Sequence, residues 1–154
     1  MRGSKAKKRL VESDPIYKSK TVSRFINYLM QDGKKSKARE IVYSVLESLS
    51  KDQKESVTFF EDAIKNVMPK QEVRSRRVGG ATYQVPVLLK HDRSEALALR
   101  WLIDTSRSKK GDGMANKLLS EMKAALNNEG TAIKKRQDVE RMADANKAFS
   151  HFKW

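Results

Sequence analysis

Residues 72–85 have the sequence Glu72-Val73-Arg74-Ser75-Arg76-Arg77-Val78-Gly79-Gly80-Ala81-Thr82-Tyr83-Gln84-Val85. The two adjacent glycines suit a two-residue hairpin turn, because both central positions of such a turn adopt positive φ. Valine, threonine and tyrosine flank the turn, and these residue types favour strands. Pro86 suits an edge strand, since it has no N–H to donate to a neighbour. The sequence therefore predicts a β-hairpin over about residues 72–88 with its tip at Gly79-Gly80.

The arginines of this hairpin are the first indication of function. Side chains alternate between the two faces of a strand, so Arg74 and Arg76 share one face and Arg77 lies on the other. Arginine presents a planar fork to phosphate and stacks on unpaired bases, and the ring of Tyr83 is a further candidate for stacking. Little apolar surface lies near the tip, so we expect the hairpin to project as a basic arm. Such an arm is poorly suited to catalysis and well suited to folded RNA.

The segments on both sides of the hairpin have the periodicity of amphipathic helices. Their apolar residues recur every three to four positions, which places them on one helix face. Six such stripes lie within 22–30, 38–49, 57–67, 97–102, 115–126 and 133–143. Ser56 and Ser94 are predicted to cap the third and fourth helices, Gly130 to end the fifth and Thr131 to begin the sixth. The predicted fold is an all-α, six-helix bundle over residues 21–154 with one protruding β-hairpin arm.

Residues 1–20 form a segment of a different kind. They include seven basic residues and two acidic ones, with one short apolar pair, Leu10-Val11. A segment with so little apolar surface does not fold alone. Two interpretations stay open. One is a solvated, disordered basic tail; the other is a tail that becomes ordered only on a phosphate backbone, with Lys7, Lys8 and Arg9 in contact with it.

The overall charge indicates the class of partner. The 154 residues include 33 Lys and Arg against 19 Asp and Glu, a net charge of +14. Such a charge attracts polyanions. No apolar run approaches the ~18 residues that a membrane span needs, and no secretory segment is apparent, so no membrane partner is expected. The absence of cysteine excludes disulfides and thiolate metal ligands and permits a reducing, cytoplasmic location.

No arrangement of residues for catalysis emerges from the sequence. His91 and His151 are far apart, and neither has a partner at metal-ligand spacing. Gly111-Asp112-Gly113 is too short for a phosphate-binding loop and indicates an ordinary turn. Neither a nucleophile motif nor a pair of catalytic carboxylates is present. We therefore predict no enzyme, no cofactor, no metal site and no small-molecule substrate.

The basic residues are spread over many separate points of the chain. Outside the tail and the hairpin they form three groups: Lys34, Lys35 and Lys37; Lys109 and Lys110; and Lys134, Lys135, Arg136 and Arg141. No DNA-binding motif is present, and charge at separate points suits an RNA junction better than one straight groove. Two alternatives remain. A DNA-compacting protein would bind duplex DNA equally well, and an RNA-processing enzyme would need an acid–base pair or a metal.

Several longer motifs, in order along nearly the whole chain, resemble a known family. They are 14–17, 25–27 with 32–36, 41–43, 75–86, 97–101, 130–136 and 141–154, and they include Ser75-Arg76-Arg77-Val78-Gly79-Gly80 and Gly130-Thr131-Ala132-Ile133-Lys134-Lys135-Arg136. On these residues the chain resembles bacterial-type small-subunit ribosomal protein seven, of the universal small-subunit protein seven family.

The resemblance implies a structural constituent of the small ribosomal subunit that functions in translation. It implies binding to the 3′ major domain of small-subunit ribosomal RNA, nucleation of head assembly, and a position near the decoding centre. It also implies contacts with small-subunit proteins nine and eleven, and a cytoplasmic location in the ribosome, with an organellar matrix left open. The hairpin residues that it places near exit-site tRNA and mRNA are Arg77, Val78, Gly79, Gly80, Ala81, Thr82 and Tyr83.

The candidate ribosomal RNA-binding residues combine the basic groups with two positions that the resemblance adds, Arg93 and Met114. They are Lys7, Lys8, Arg9, Lys34, Lys35, Lys37, Arg74, Arg76, Arg77, Arg93, Lys109, Lys110, Met114, Lys134, Lys135 and Arg136. One segment departs from the family. Lys90-His91-Asp92-Arg93-Ser94 stands where a more basic pattern of the type Arg-Pro-x-Arg-Arg is common, so Arg93 is the candidate retained at that junction.

Overall fold

The computed structural model describes Gly3 and residues 10–152. Across these residues the chain forms six α-helices, one antiparallel pair of strands and a short 3-10 helix. In chain order they are α1 (Lys20–Leu29), α2 (Lys35–Leu49), α3 (Gln53–Val67), β1 (Gln71–Val78), β2 (Ala81–Leu88), α4 (His91–Ser108), α5 (Met114–Leu126), α6 (Thr131–Ala145) and the C-terminal 3-10 helix (Lys147–Phe152). A mostly helical chain with one hairpin is confirmed. The 3-10 helix was not predicted.

The core is formed by the apolar stripes of the helices. Phe25 of α1 and Phe60 of α3 meet edge to face with ring centroids 5.2 Å apart, and both side chains are completely buried. Full burial of such a side chain stabilises the fold by about 1.5–3 kcal/mol. α5 is the central helix, because it packs against α2, α3 and α4. The stripes predicted from periodicity therefore supply most of the core, with the exception of Met142 in the predicted sixth stripe, which is 54% exposed.

Two helices begin at residues other than the predicted caps. α3 and α4 each begin three residues before the predicted serine. Asp52 caps α3 by accepting a hydrogen bond from the backbone N–H of Lys54 at 3.1 Å. Ser56 and Ser94 are buried inside their helices, and the hydroxyl of Ser94 donates to the carbonyl of Pro69 at 2.6 Å. Serine hydroxyls bond backbone carbonyls as readily as they cap, so the cap preference pointed to a serine where Asp52 and Lys90 precede the helices.

The segment before α1 is partly joined to the helical body, although a tail through residue 20 was predicted. Asp14 is buried, and its carboxylate accepts the backbone N–H of Tyr17 at 3.1 Å and the hydroxyl of Tyr43 at 3.0 Å. Burial and the bond to Asp14 raise the pKa of Tyr43 to about 12, so its hydroxyl remains a donor at neutral pH. Residues 14–19 thus belong to the body. Lys7, Lys8 and Arg9 lie outside the described residues.

The hairpin has the predicted two-residue turn and nearly the predicted bounds. β1 and β2 pair from Gln71 opposite Leu88 to Val78 opposite Ala81. Gly79 has a φ of 56° and Gly80 a φ of 90°, as a two-residue turn requires. α6 packs against β1, and the C-terminal 3-10 helix packs against β2. On the face opposite Tyr83, Gln71 and Val73 are half-buried at the base of the hairpin, and Gln71 donates to Asp144 of α6 at 2.7 Å. The turn and the part of that face near it are exposed to solvent.

Candidate nucleic-acid interface

The loop between α1 and α2 carries the first group of predicted RNA-binding residues. Asp32 and Gly33 both have positive φ, at 51° and 73°, and they reverse the chain so that Lys34, Lys35 and Lys37 emerge exposed at the start of α2. Lys34 Nζ lies 3.6 Å from Asp32 Oδ2, but both side chains are exposed, and such surface pairs contribute little. The loop therefore presents lysine ammonium groups that can exchange water for phosphate.

A groove joins this loop to the start of α5, far away in the sequence. Its volume is about 510 Å³, and it is lined by Leu29, Gln31, Asp32, Lys34, Lys37, Ala38, Ile41, Arg107 and Met114. Arg107 Nη2 donates to the carbonyl of Leu29 at 3.0 Å, which ties the end of α4 to the end of α1. The structure thus brings together three predicted site residues, Lys34, Lys37 and Met114. Basic groups rim the groove, and its floor is apolar.

The outer face of the hairpin is the second exposed basic region. Arg77 lies on this face with Ser75, Thr82 and Gln84, and all four side chains are exposed. The hydroxyl of Ser75 donates to Gln84 Oε1 across the strands at 3.2 Å. A guanidinium on a supported strand loses less freedom on binding than one on a free loop. Arg77 is therefore placed to contact phosphate or an unpaired base.

The inner face of the hairpin carries an aromatic cluster. Tyr83 lies with its ring centroid 5.3 Å from that of Phe149 and 5.0 Å from that of Phe152, both in the C-terminal 3-10 helix. Val85, further along the same face, is completely buried. Tyr83 is half-buried in these contacts, so its ring supports the hairpin from within. The base-stacking role predicted for Tyr83 has to compete with this packing.

The base of the hairpin gathers two predicted arginines around one carboxylate. Glu72 of β1 is buried, and its Oε1 lies 2.7 Å from Arg74 Nε. Its Oε2 lies 3.2 Å from Nη2 of Arg93, in the first turn of α4. Both arginine side chains are about half exposed. The two candidates, separated in sequence, are thus neighbours in space through Glu72.

Lys109 has an internal partner. Its Nζ lies 2.7 Å from Oε2 of Glu121, a completely buried carboxylate on α5. The other oxygen of Glu121 accepts the hydroxyl of Thr131 at 2.9 Å and the backbone N–H of Ala132 at 2.8 Å, at the beginning of α6. Burial alone raises the pKa of Glu121, but the bonds from Lys109, Ala132 and Thr131 outweigh burial, and the pKa lies below its ordinary value. Lys109 therefore holds the body together, and Lys110 beside it is exposed.

The basic run at the start of α6 divides in the same way. Lys134 and Lys135 are exposed, whereas Arg136 is half-buried. Arg136 Nη1 donates to the backbone carbonyl of Asn66 at the end of α3, and Nε lies 3.8 Å from Glu140. Arg136 thus joins α6 to α3. The run reads as uniformly basic in the sequence, but its members face opposite ways because helix neighbours are turned by about 100°.

Glu72 and Glu121 are the residues that the sequence analysis did not single out. A signal was available for Glu121, which shares the apolar stripe of α5 with Leu118, Met122 and Ala125. A carboxylate in such a position needs cationic or N–H partners, since an unpaired buried charge is costly. Glu72 gave no comparable signal. Strand alternation shows which residues share a face, but it does not show which face is buried.

Metal sites and membrane spans are two other classes of feature that bear on function. Among the residues that the structure describes, no group of three or more His, Asp or Glu side chains could hold a metal ion. Within the same residues, none of the helices is long and apolar enough to cross a membrane. What the described surface does present is a set of exposed cations on the α1–α2 loop, the hairpin, the α4–α5 loop and α6.

Comparison with known proteins gives a consistent result. The family model described as ribosomal protein S7p/S5e matches residues 1–147. Small ribosomal subunit protein uS7 of Thermosipho africanus is 54% identical over 100% of this chain and 100% of that protein. The protein of the same name from Fervidobacterium nodosum is 52% identical, again over 100% of both chains. That from Vibrio campbellii is 52% identical over 95% of this chain and 94% of its own.

Proposed function

The chain belongs to the ribosomal protein S7p/S5e family, and we propose that it binds the 3′ major domain of small-subunit ribosomal RNA and nucleates assembly of the subunit head. Membership makes it a structural constituent of the small ribosomal subunit, acting in translation, and not an enzyme. It therefore belongs in the ribosome, and a cytoplasmic ribosome is our proposal.

The observation that carries the proposal is the separation of exposed cations onto several rigid elements. Lys35 and Lys37 on the α1–α2 loop, Arg77 on the hairpin, Lys110 after α4 and Lys134 and Lys135 on α6 are all exposed. One straight duplex would meet only part of such a surface. RNA helices converging at a junction can approach several of its sides, and phosphate contacts then fix their relative positions. We assign direct RNA contact to these six residues, to Lys34 and to the loop leading to Met114.

The remaining proposed partners follow from membership of the family. We propose that the hairpin tip, residues 77–83, lies beside exit-site tRNA and mRNA, because the family resemblance places it there and most of these residues are exposed. Small-subunit proteins nine and eleven are the proposed protein neighbours. Lys7, Lys8 and Arg9 are proposed to contact RNA as part of the basic segment before the folded body.

The first test is a salt-dependent titration of the purified protein against a 3′ major-domain fragment, with bulk tRNA and duplex DNA as competitors. With about 6–10 phosphates engaged, affinity should fall by roughly 10³–10⁵ between 50 and 200 mM salt. Tight binding that survives excess competitor supports the proposal. Equal competition by all polyanions would instead support a DNA-compacting protein.

The second test compares Arg77→Ala with Lys51→Ala. Arg77 is exposed on the hairpin, and Lys51 is an exposed lysine in the α2–α3 connection outside the proposed surface. Loss of one charge-assisted contact should weaken binding of the fragment by about tenfold for Arg77→Ala and reduce the salt slope by about 1. Lys51→Ala should leave both nearly unchanged. An equal effect of the two substitutions would remove Arg77 from the interface.

A further inference from the structure

The contact between Glu72, Arg74 and Arg93 joins strand β1 to the first turn of helix α4. Arg74 lies two residues after Glu72 on β1, and Arg93 lies in the first turn of α4. Each guanidinium uses one oxygen of the same carboxylate, at 2.7 Å and 3.2 Å. The Glu72 side chain is 11% exposed, against 49% for Arg74 and 46% for Arg93. The carboxylate is thus the fixed centre, and the two cations are its solvent-facing partners.

The chemistry of the three groups leaves donors unused. A guanidinium has five N–H donors, and each arginine here directs one nitrogen at Glu72. About half of each arginine side chain is exposed, so each can present further N–H groups to a partner in solution. Two guanidiniums this close would repel each other without the shared negative charge. Glu72 therefore reduces the repulsion between the two guanidiniums that it contacts, and the three groups keep a net charge of +1.

We propose that Glu72 is a positioning residue for RNA binding, holding Arg74 and Arg93 as a paired clamp for one stretch of phosphate backbone. The clamp rests on the proposed function, because it deepens the RNA-binding role of the same surface. Both arginines are oriented before binding, so less side-chain freedom is lost when phosphate arrives. The negative charge of Glu72 by itself repels phosphate. Its contribution to RNA binding is the orientation of the two arginines.

The two explanations of Glu72 predict opposite changes in RNA affinity for Glu72→Gln. If Glu72 only neutralises charge, Glu72→Gln adds one positive charge to the surface and strengthens binding to RNA. If Glu72 positions the arginines, the neutral amide releases them, and binding weakens despite the added charge. The amide has one oxygen acceptor and an NH₂ donor, so it cannot accept from both guanidiniums in the same arrangement.

The experiment measures Glu72→Gln and Asp138→Asn against the 3′ major-domain fragment over a range of salt. Asp138 is the matched control, because it pairs with Arg141 at 3.1 Å on the exposed face of α6, and its amide variant adds the same charge. We expect Glu72→Gln to bind about 5–20-fold more weakly than wild type, with the salt slope reduced by about 1–2. Asp138→Asn should bind as well as wild type or slightly better. Glu72→Gln binding as tightly as Asp138→Asn would overturn the proposal.

A second measurement leaves Glu72 in place, so that misfolding of the first variant does not decide the matter. Arg74→Ala, Arg93→Ala and the double variant form a thermodynamic cycle. Arginines acting as one clamp should give a double variant only slightly weaker than either single one. Fully additive losses would show two independent contacts and contradict the clamp.

The inference and the proposed function fail in distinguishable ways. Discrimination by the wild-type protein between the ribosomal RNA fragment and duplex DNA tests the function. The difference between Glu72→Gln and Asp138→Asn on that same fragment tests the positioning role. If the wild type does not distinguish the ribosomal RNA fragment from duplex DNA, the proposed function is wrong. If it does distinguish them and Glu72→Gln binds the fragment more tightly, only the positioning role of Glu72 is wrong.

Discussion

Two regions of this molecule use a buried carboxylate to hold basic groups, and they do so to different ends. Glu121, between α5 and α6, accepts hydrogen bonds from Thr131 and Ala132 and pairs with Lys109. Glu72, at the base of the hairpin, pairs only with the guanidiniums of Arg74 and Arg93 among its charged contacts in the described chain. Glu121 accepts a backbone N–H at the start of α6, so it stabilises the fold. Glu72 contacts two cationic side chains that are half exposed on the surface.

The difference shows why a count of basic residues overstates a binding surface. Lys109 and Arg136 are as basic in the sequence as Lys110 and Lys135, yet both are turned toward internal acceptors. Their positive charge mainly stabilises contacts within the fold. The exposed lysines keep their charge for a partner. The predictions that follow test whether the Glu121 region governs stability while the exposed cations govern binding.

The largest expected effect is on stability, from Glu121→Ala. The substitution leaves Lys109 without its partner and removes the acceptor for the backbone N–H of Ala132 and the hydroxyl of Thr131 at the start of α6. Breaking a buried pair costs about 3–5 kcal/mol, but Lys109 is 32% exposed and can regain water, so we expect a loss of about 2–4 kcal/mol. Urea denaturation followed by circular dichroism measures it. The control is Asp138→Ala, an exposed pair, with a change of less than about 0.5 kcal/mol.

The next effect concerns the backbone beside Glu121. Gly130 precedes α6 with a φ of 95° and a ψ of 173°, a region that glycine alone occupies readily. A Cβ at this position would lie 3.0 Å from Glu121 Oε1 and 3.0 Å from Ala124 Cβ. We expect Gly130→Ala to cost about 1–3 kcal/mol in the same assay. Gly111→Ala is the control, because Gly111 has a φ of 89° but open space around it. Equal losses at both positions would show that crowding against Glu121 contributes nothing.

The third prediction is a pH dependence with a defined sign. The pKa of Glu121 lies below 4.5 in the folded chain, so the unfolded state binds the proton more readily. The stability that ionised Glu121 contributes is therefore complete above pH 4.5 and is lost as the pH falls through the folded pKa. The difference in unfolding free energy between wild type and Glu121→Gln should be constant from pH 7 to pH 5 and shrink below pH 4.5. A difference that grows on acidification would contradict the assignment.

The smallest expected effect contrasts two lysines in binding. Lys35→Ala removes an exposed ammonium from the α1–α2 loop, and it should reduce the salt slope for the 3′ major-domain fragment by about 1 without changing stability. Lys109→Ala removes an ammonium already held by Glu121, so it should lower stability and change the slope by much less. Titration and urea denaturation of both variants decide between the two roles. A reversal of this pattern would make Lys109 part of the interface.

The local features were predictable from the sequence, and the contacts between distant segments were not. Gly79-Gly80 fixes a turn by backbone conformation alone, and the spacing of apolar residues identifies most of the core faces, although Met142 of α6 is exposed. Ser94 was misassigned because its hydroxyl is used by Pro69, a residue on another element. The pairing of Glu72 with Arg93 and of Tyr83 with Phe149 depends on how α4 and the C-terminal segment pack. Periodicity carries no information on such packing.

The aromatic cluster on the hairpin has a consequence for the order of events during synthesis. Hairpins form in about 1–10 µs once their strands exist, whereas the ribosome adds about 5–20 residues per second. The strands can pair as soon as both are synthesised, but Phe149 and Phe152 are synthesised several seconds after Tyr83. In that interval the nascent hairpin can be paired and yet uncovered on its inner face. The latest-made residues of the described chain thus complete an element whose backbone was finished long before.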